Sequence, residues 1–182
     1  MTVPFERQFR FDPSAPQNLG LRNILDRLSQ TIERDTLVQR TTQELCEGLQ
    51  VDRVVLYYFY QPWRGQVTFE ALRSPDCSIL GSTGPDDCFN GEYAALYLAG
   101  RVRAIADIET EPINDCHRDF LRDLGVRANL VVPVLVAGNL WGLLIAHHSQ
   151  VRPWPAEDIE RMRQGAETLA QSPAIAEALF KD

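Results

Sequence analysis

The sequence predicts one α+β domain in which helices flank a central antiparallel sheet, and three observations support this. A length of 182 residues is typical of a single domain. Segments rich in β-branched and aromatic residues occur in two pairs, each joined by a short turn, which favours antiparallel hairpins. Segments with apolar residues at helical spacing stand near both ends of the chain, where they can cover the sheet.

Apolar residues at helical spacing predict five helices and a short tail. In chain order these are 21–32, a segment after Asp35, 92–99, 116–124, a long helix with Pro155 at its first position, and a tail from 173 to about 180. Asp35 and Asp115 are typical N-caps, and Gly100 and Gly125 are typical residues at which helices end.

Five segments are predicted to be strands. They are 54–60, 67–72, 102–108, 127–136 and 140–148. Alternation in the second segment predicts Val67, Phe69 and Ala71 on one face of the sheet. The segment 74–90 has the composition of a loop, and loops of this length in a compact domain are usually functional or disordered.

Domain boundaries follow from this order of elements. Residues 1–18 are predicted to be an irregular arm, 19–172 the folded domain, and 173–182 a helical tail toward an output domain that is missing from this chain. The N-terminus has no apolar signal segment, and the longest apolar stretches are too short to span a bilayer. The expectation is therefore a soluble, cytoplasmic fragment, with membrane attachment left to a longer native protein.

Charge excludes some classes of partner. The net charge is −7, from 18 Lys and Arg against 25 Asp and Glu. Nucleic-acid binding and polybasic membrane anchoring both depend on clustered positive charge, so neither is expected to be the main activity.

Two of the four cysteines lie in contexts that favour chemistry. Cys116 begins a predicted helix and precedes His117, and a helix N-terminus beside an imidazole favours the nucleophilic thiolate. Cys88 lies in the sequence Asp-Asp-Cys-Phe within the long loop. Cys77 is an extra thiol in that loop, and Cys46 falls on the apolar side of a helix and is expected in the core. From the residues alone, a free cysteine can equally be a small buried apolar group.

Several blocks, taken in order, resemble the photosensory GAF domains of cyanobacteriochromes, which are bilin-binding relatives of the phytochromes. The blocks are Asp-Asp-Cys-Phe at 86–89, Cys-His followed by Phe-Leu at 116–121, VRANLVVP at 126–133, LWGLLIAHH at 140–148 and RPW at 152–154. The first block resembles the Asp-X-Cys-Phe motif of the dual-cysteine subclass. The resemblance covers about 20–172 and implies a GAF fold.

The resemblance also implies a cofactor and its chemistry. A linear tetrapyrrole, phycocyanobilin and/or phycoviolobilin, is expected to be attached through a thioether to Cys116. Cys88 is expected to form a second thioether at the methine carbon between the two middle rings. This bond interrupts the conjugated path, so the linked state should absorb violet or blue light and the released state green to orange light. The light-driven step would be a Z/E isomerisation at the D ring.

Roles for further residues follow from the same resemblance. Asp86 is expected to contact pyrrole nitrogens, and His117 to lie against the chromophore. Of the two arginines that could bind propionates, Arg101 is the first choice by its position relative to Cys88, and Arg103 is the second. Alternation makes it difficult for both to face one pocket. His147 is favoured over its neighbour His148 as partner of the D-ring carbonyl. The residues expected to pack on the rings, or else in the core, are Phe89, Tyr93, Tyr97 and Trp141.

The expected protein is a sensor and not an enzyme, apart from attaching and isomerising its own bilin. Its partners would be an output signalling domain in a longer chain and, as an open alternative, a second copy through the terminal helices. The main competing interpretation is a GAF domain that binds a non-covalent small ligand such as a cyclic nucleotide. A cysteine hydrolase is disfavoured because consecutive helical side chains, here Cys116 and His117, diverge by roughly 100°. No metal is expected, because the cysteines lack short ligand spacing.

Overall fold

A five-stranded antiparallel sheet forms the centre of the computed structural model, which describes residues 19–61, 64–84 and 91–180. The strands in chain order are β1 (Arg53–Gln61), β2 (Arg64–Leu72), β3 (Arg103–Ile105), β4 (Ala128–Val136) and β5 (Asn139–His148). Their order in the sheet is β2-β1-β5-β4-β3. Both predicted hairpins are confirmed, and pairing of β1 with β5 joins them into one sheet.

Six helices surround the sheet in the described part of the chain. They are α1 (Leu19–Glu33), α2 (Thr36–Leu49), α3 (Gly91–Leu98), α4 (Asp115–Asp123), α5 (Ala156–Leu169) and α6 (Pro173–Ala176). Two 3₁₀ turns, Pro75–Cys77 and Glu177–Phe180, complete the elements. The predicted α+β class is confirmed. The predicted arm, 1–18, lies outside the described residues.

Helix capping agrees with the sequence at one helix and differs at two. The Asp35 carboxylate accepts the backbone N–H groups of Leu37 and Val38, as predicted for an N-cap. At α4 the cap is Asn114, whose side chain accepts the Cys116 N–H at 2.9 Å, and Asp115 is the first helical residue. Pro155 is the N-cap of α5 instead of its first helical residue.

One face of the sheet, here called the helix-covered face, packs against α1, α2, α5 and α6. Its core consists of aliphatic side chains together with Cys46, Met162 and Trp141. Ala174 and Ile175 in the C-terminal segment are buried in this core, so the predicted tail packs on the domain. Within the described residues, no helix combines the length and apolar character that a membrane span requires.

A bulge changes which face of the sheet β2 presents. Leu56 pairs with Phe69 but Tyr57 pairs with Val67, so Thr68 is an extra residue in β2. Phe69 and Ala71 therefore pack toward the helix-covered face, whereas Val67 packs on the opposite face. This corrects the prediction that these three residues share one face.

Candidate functional site

A cleft lies on the face of the sheet opposite the helix-covered core. It contains about 620 Å³ of space not occupied by protein atoms, including the open solvent at its mouth. Strands β1, β2, β4 and β5 form its floor, and α3, α4 and the segment before residue 85 form its walls. The lining residues are Val55, Tyr57, Val67, Ile79, Ser82, Thr83, Gly84, Tyr97, Arg103, His117, Phe120, Leu121, Leu124, Asn129, Val131, Leu143, Ile145 and His147.

Helix α4 turns one side toward the cleft. His117, Phe120, Leu121 and Leu124 all line it, at the i, i+3, i+4, i+7 spacing of a single helical face. Cys116 lies one turn before Phe120, at the edge of this stripe, and its side chain is exposed. The thiol is therefore accessible beside a side chain that lines the cleft, as an attachment point requires.

The two cleft histidines each lie near an arginine, and burial affects the pKa of both. Burial and the nearby Arg103 cation lower the pKa of His117. Burial, followed by the positive charge of Arg53, lowers the pKa of His147 well below its usual value. Both rings are therefore neutral near pH 7, and a neutral imidazole has one donor and one acceptor nitrogen.

His147 lies on the floor of the cleft, and its neighbour on β5 does not. Its Nδ1 accepts a hydrogen bond from Nε of Arg53 at 3.0 Å. His148 lies beside Asp52, with 3.6 Å between its Nδ1 and the carboxylate. Of the two adjacent histidines, the structure thus brings to the cleft the one that the sequence analysis favoured.

The two candidate arginines differ in their position relative to the cleft. Arg103 lines the cleft from β3 and forms an ion pair with Glu111 at 3.1 Å. Arg101 precedes β3 and is not among the lining residues. The preference for Arg101 rested on its position relative to Cys88, which lies outside the described residues. The strand predicted over 102–108 is only three residues long in the structure.

Asn129 presents an unpaired acceptor to the cleft. Its side chain is 3% exposed, and its Oδ1 has no hydrogen-bond partner among the described residues. It pairs across the strands with His147, so an amide and an imidazole stand together on the floor. A buried acceptor without a partner costs free energy, which a ligand N–H would recover.

The predicted aromatic residues separate into different layers. Tyr97 lines the cleft. Trp141 packs in the helix-covered core, with its ring centroid 5.1 Å from that of Tyr58. Val134 pairs with Gly142 and Leu135 with Leu140, so Trp141 is the extra residue of a bulge. Of the two alternatives expected for Trp141, packing on the rings or in the core, the structure has the core.

Other candidates lie partly or wholly outside the described residues. Asp86, Cys88 and Phe89 belong to 85–90, and the side chain of Tyr93 is likewise outside the description. Gly84, the residue before this segment, lines the cleft and donates its N–H to the Tyr57 hydroxyl at 2.9 Å.

The two remaining cysteines differ in their burial. Cys46 is buried in the helix-covered core, as predicted, and burial raises the pKa of its thiol. The Cys77 side chain is half-buried, and its backbone carbonyl accepts a hydrogen bond from Arg53.

Arg53 and Asn129 are cleft-face residues that the sequence analysis missed. A signal for both was present, because each is a polar residue in an apolar strand segment. Arg53 precedes Val-Val-Leu, and Asn129 stands between Ala128 and Leu130. Buried polar groups in strands are uncommon without a partner, so such interruptions indicate a polar network or a ligand.

Comparison with solved structures gives matches of high coverage. The blue-light absorbing form of the Thermosynechococcus elongatus PixJ GAF domain has a TM-score of 0.71 and 30% identity, covering 91% of this chain and 92% of that chain. The phycocyanobilin-bound GAF domain from a cyanobacterial phytochrome has a TM-score of 0.68 and 30% identity, covering 88% and 96%.

Comparison with curated sequences identifies relatives of different lengths. An uncharacterized protein of Picosynechococcus sp. is 53% identical over 151 residues, which cover 83% of this chain and 93% of that protein. The circadian input-output histidine kinase CikA of Synechocystis sp. is 33% identical over 82% of this chain, but the match spans only 23% of the kinase. The sequence profile of the GAF domain matches residues 33–172, which is most of the chain and includes α2, α4 and all five strands. On this match and on the shared fold, the chain belongs to the GAF domain family.

Proposed function

We propose that this chain is a photosensory domain that binds phycocyanobilin or phycoviolobilin covalently through Cys116. The observation that carries the proposal is the cleft, in which an exposed thiol stands at the edge of a mainly apolar wall with a few polar groups inside it. The similar solved domains include one described as blue-light absorbing and one as phycocyanobilin-bound.

The residues of the cleft suit such a ligand. Apolar side chains match the ring faces of a tetrapyrrole. The unpaired Oδ1 of Asn129 accepts an N–H, and Arg103 offers a guanidinium to a propionate. A bilin supplies visible absorption and a double bond at its D ring that isomerises in light.

Cys116 forms the attachment. Its thiolate adds to the A-ring ethylidene: a C–S bond forms, the carbon–carbon π bond breaks, and a proton from the medium adds at the adjacent carbon. His117 follows Cys116 in the chain and lines the cleft, and so packs against the attached rings. His147 donates to the D-ring carbonyl from the floor of the cleft.

Cys88 and Asp86 complete the proposal for the dual-cysteine subclass. Asp86 accepts pyrrole N–H groups. The Cys88 thiolate would add to the methine carbon between the middle rings of the protonated, cationic tetrapyrrole. A C–S bond would form, one π bond would break, and its electron pair would move to a ring nitrogen and neutralise the cation, so the conjugated path would shorten. Cleavage of this bond returns the thiolate and the longer path. The expected pair is a violet or blue linked state and a green-to-orange released state.

The chain itself has no proposed catalytic turnover beyond chromophore attachment and isomerisation. Its signal is expected to pass to an output domain in a longer protein. Support comes from the histidine kinase relative, in which the matched region is a small part of the whole sequence.

The experiment compares Cys116→Ala and Cys88→Ala with the unchanged chain after co-expression with phycocyanobilin synthesis. Absorption is recorded before and after violet or blue light, and bilin is followed on denaturing gels. Cys116→Ala should lose the covalent pigment that survives denaturation, because the Cys88 bond to the methine carbon is the reversible one. Cys88→Ala should keep covalent pigment and lose the violet or blue state.

Cys77→Ala is the matched control, since Cys77 is a half-buried thiol outside the lining of the cleft. It should behave as the unchanged chain. Colourless unchanged protein would reject the bilin in favour of a non-covalent ligand. Loss of the violet or blue state in Cys77→Ala, with retention in Cys88→Ala, would reassign the second linkage.

A further inference from the structure

A buried arginine stands beneath the cleft, at the first position of β1. Arg53 is only 5% exposed, and its side chain donates hydrogen bonds to three acceptors on three different segments of the chain. Nε donates to Nδ1 of His147 at 3.0 Å, Nη1 to the Cys77 carbonyl at 2.9 Å, and Nη2 to the Leu124 carbonyl at 2.7 Å. These bonds hold the guanidinium in one orientation.

The chemistry of the two side chains settles which nitrogen of His147 carries the proton. A guanidinium has N–H donors and no acceptor, so Nδ1 must supply the lone pair in the bond with Arg53. A neutral imidazole with a free lone pair on Nδ1 carries its hydrogen on Nε2. Doubly protonated imidazole has no lone pair and is incompatible with the contact.

We propose that Arg53 is a positioning residue that holds His147 as its neutral Nε2–H tautomer, so that the ring offers a hydrogen-bond donor to the cleft. The role toward a bilin rests on the proposed function. In the Nε2–H tautomer, His147 can donate a hydrogen bond to the D-ring carbonyl oxygen. In the Nδ1–H tautomer, Nε2 would instead present a lone pair to that oxygen. The role toward the ring itself is independent of any ligand.

The other two bonds of Arg53 extend this role to the walls of the cleft. The Cys77 carbonyl belongs to the segment that leads to Gly84, and Leu124 caps the C-terminus of α4. The Arg53 guanidinium therefore orients His147 and also forms hydrogen bonds to two segments that flank the cleft, the one at Cys77 and the one at Leu124. The contact between Arg53 and His147 follows directly from strand pairing, in which the two residues are opposite each other.

Asp52 supplies a matched control from the next position in the chain. Its carboxylate accepts the Ser149 backbone N–H at 2.7 Å and lies 3.6 Å from the His148 ring. Asp52 thus lies beside His148, and Arg53 contacts His147. Of these two pairs, only Arg53 and His147 involve the cleft. A change at Asp52 should act on His148 and leave the proton position of His147 unaltered.

The test is long-range ¹H–¹⁵N correlation spectroscopy on the 182-residue chain labelled at its histidines, with and without phycocyanobilin. The three histidines are assigned by loss of signals in His117→Gln and His148→Gln. The unchanged chain should show His147 as the Nε2–H tautomer. Arg53→Met, which keeps most of the volume but removes every donor, should shift its tautomer ratio toward Nδ1–H by on the order of tenfold. Asp52→Asn should leave that ratio as it is.

Two results would overturn the proposal: an Nδ1–H tautomer in the unchanged chain, or an unaltered His147 in folded Arg53→Met. If Arg53→Met does not fold, the spectrum of the unchanged chain still decides the tautomer. Arg53→Lys then tests whether a positive charge without the planar guanidinium can hold His147 in one tautomer. We expect this variant to give a mixture of the two tautomers. Because the bilin-free sample reports the tautomer directly, failure of bilin attachment would count against the proposed function and not against Arg53. In pigmented samples, Arg53→Met should keep covalent pigment and lose photoconversion amplitude.

Discussion

The two faces of the sheet differ in chemistry although they are built from the same strands. On β5, Leu144 and Ala146 enter the helix-covered core, whereas Leu143, Ile145 and His147 line the cleft. The helix-covered core is an apolar cluster closed by four helices. The cleft face has a smaller apolar cluster, open space and buried polar groups. Alternation of side chains thus lets one strand support folding on one side and a site on the other.

This division explains how the cleft can be tolerated. A cavity forfeits dispersion contacts, and an unpaired acceptor such as Asn129 Oδ1 costs free energy. The helix-covered face offsets both through burial of side chains that include Leu56, Leu144 and Leu169, each fully inaccessible to solvent. Substitutions on the two faces should therefore separate stability from ligand binding.

The largest expected loss of folding free energy is at Leu144, and its chain neighbour Leu143 provides the comparison on the other face. Leu144→Ala on the helix-covered face should lower the free energy of unfolding by about 3 kcal/mol, because it leaves a cavity in a closed core. Leu143→Ala should cost less, about 2 kcal/mol, since its side chain already borders open space and has fewer contacts to lose. Urea unfolding of the bilin-free chain measures both.

Equal losses, or a larger loss for Leu143→Ala, would show that the cleft face carries as much of the stability as the core. Pigment attachment should also differ between the two variants. Folded Leu144→Ala should attach phycocyanobilin normally, and Leu143→Ala should alter its absorption maximum.

The next effect is on the pH dependence of stability. The pKa of His147 is lowered by burial and by Arg53, so the unfolded chain takes up this proton below about pH 6.5 while the folded chain does not. Stability should be complete above that pH and fall on acidification toward the folded pKa, at up to about 1.4 kcal/mol per pH unit for this group. His147→Gln should reduce this slope, as measured by urea midpoints between pH 5 and pH 7.

His117 faces the same cleft and has a pKa lowered in the same direction, so part of the slope should remain in His147→Gln. His148→Gln is the control, because that ring lies beside Asp52 outside the cleft lining. If the pH dependence of stability disappeared in His148→Gln and persisted in His147→Gln, the proton uptake would belong to His148, and the prediction for His147 would be wrong.

The smallest effect on folding is expected at the rim of the cleft. Arg103→Gln breaks a partly exposed ion pair with Glu111, and such pairs contribute within about 1 kcal/mol. The same change should slow pigment attachment, because it removes the guanidinium that faces the cleft. Attachment rates are followed by the rise of visible absorption after mixing with phycocyanobilin.

Arg101→Gln is the matched control, since Arg101 lies close in sequence but is not among the lining residues. It should attach pigment at the rate of the unchanged chain. The opposite pattern, with slow attachment only in Arg101→Gln, would restore the order of preference that the sequence suggested.

Local signals predicted most elements of the fold. Apolar spacing located the helices, and β-branched runs located the two hairpins, since both patterns depend on neighbouring residues. Errors arose where pairing between strands decided the outcome. One bulge places Val67 and Phe69 on opposite faces of the sheet, and another places Trp141 in the core. Both bulges depend on the register between paired strands, which alternation within one strand does not reveal.

The candidate site shows the same limit. His117 and His147 were predicted from a family resemblance, and the structure brings both to one cleft. Arg53 was missed because its partner His147 lies 94 residues away in sequence, and only the pairing of β1 with β5 brings them together.

Residue types and their spacing were enough to predict the α+β class, the hairpins, the core position of Cys46 and a thiol next to a histidine at the start of a helix. These properties depend on composition and spacing within a few residues. Tertiary structure alone decided which arginine faces the cleft, which layer holds Trp141, that Asn129 has an unpaired acceptor, and which nitrogen of His147 is left to donate. These depend on sheet register and on contacts between distant segments, because burial and hydrogen-bond partners exist only after the strands have paired.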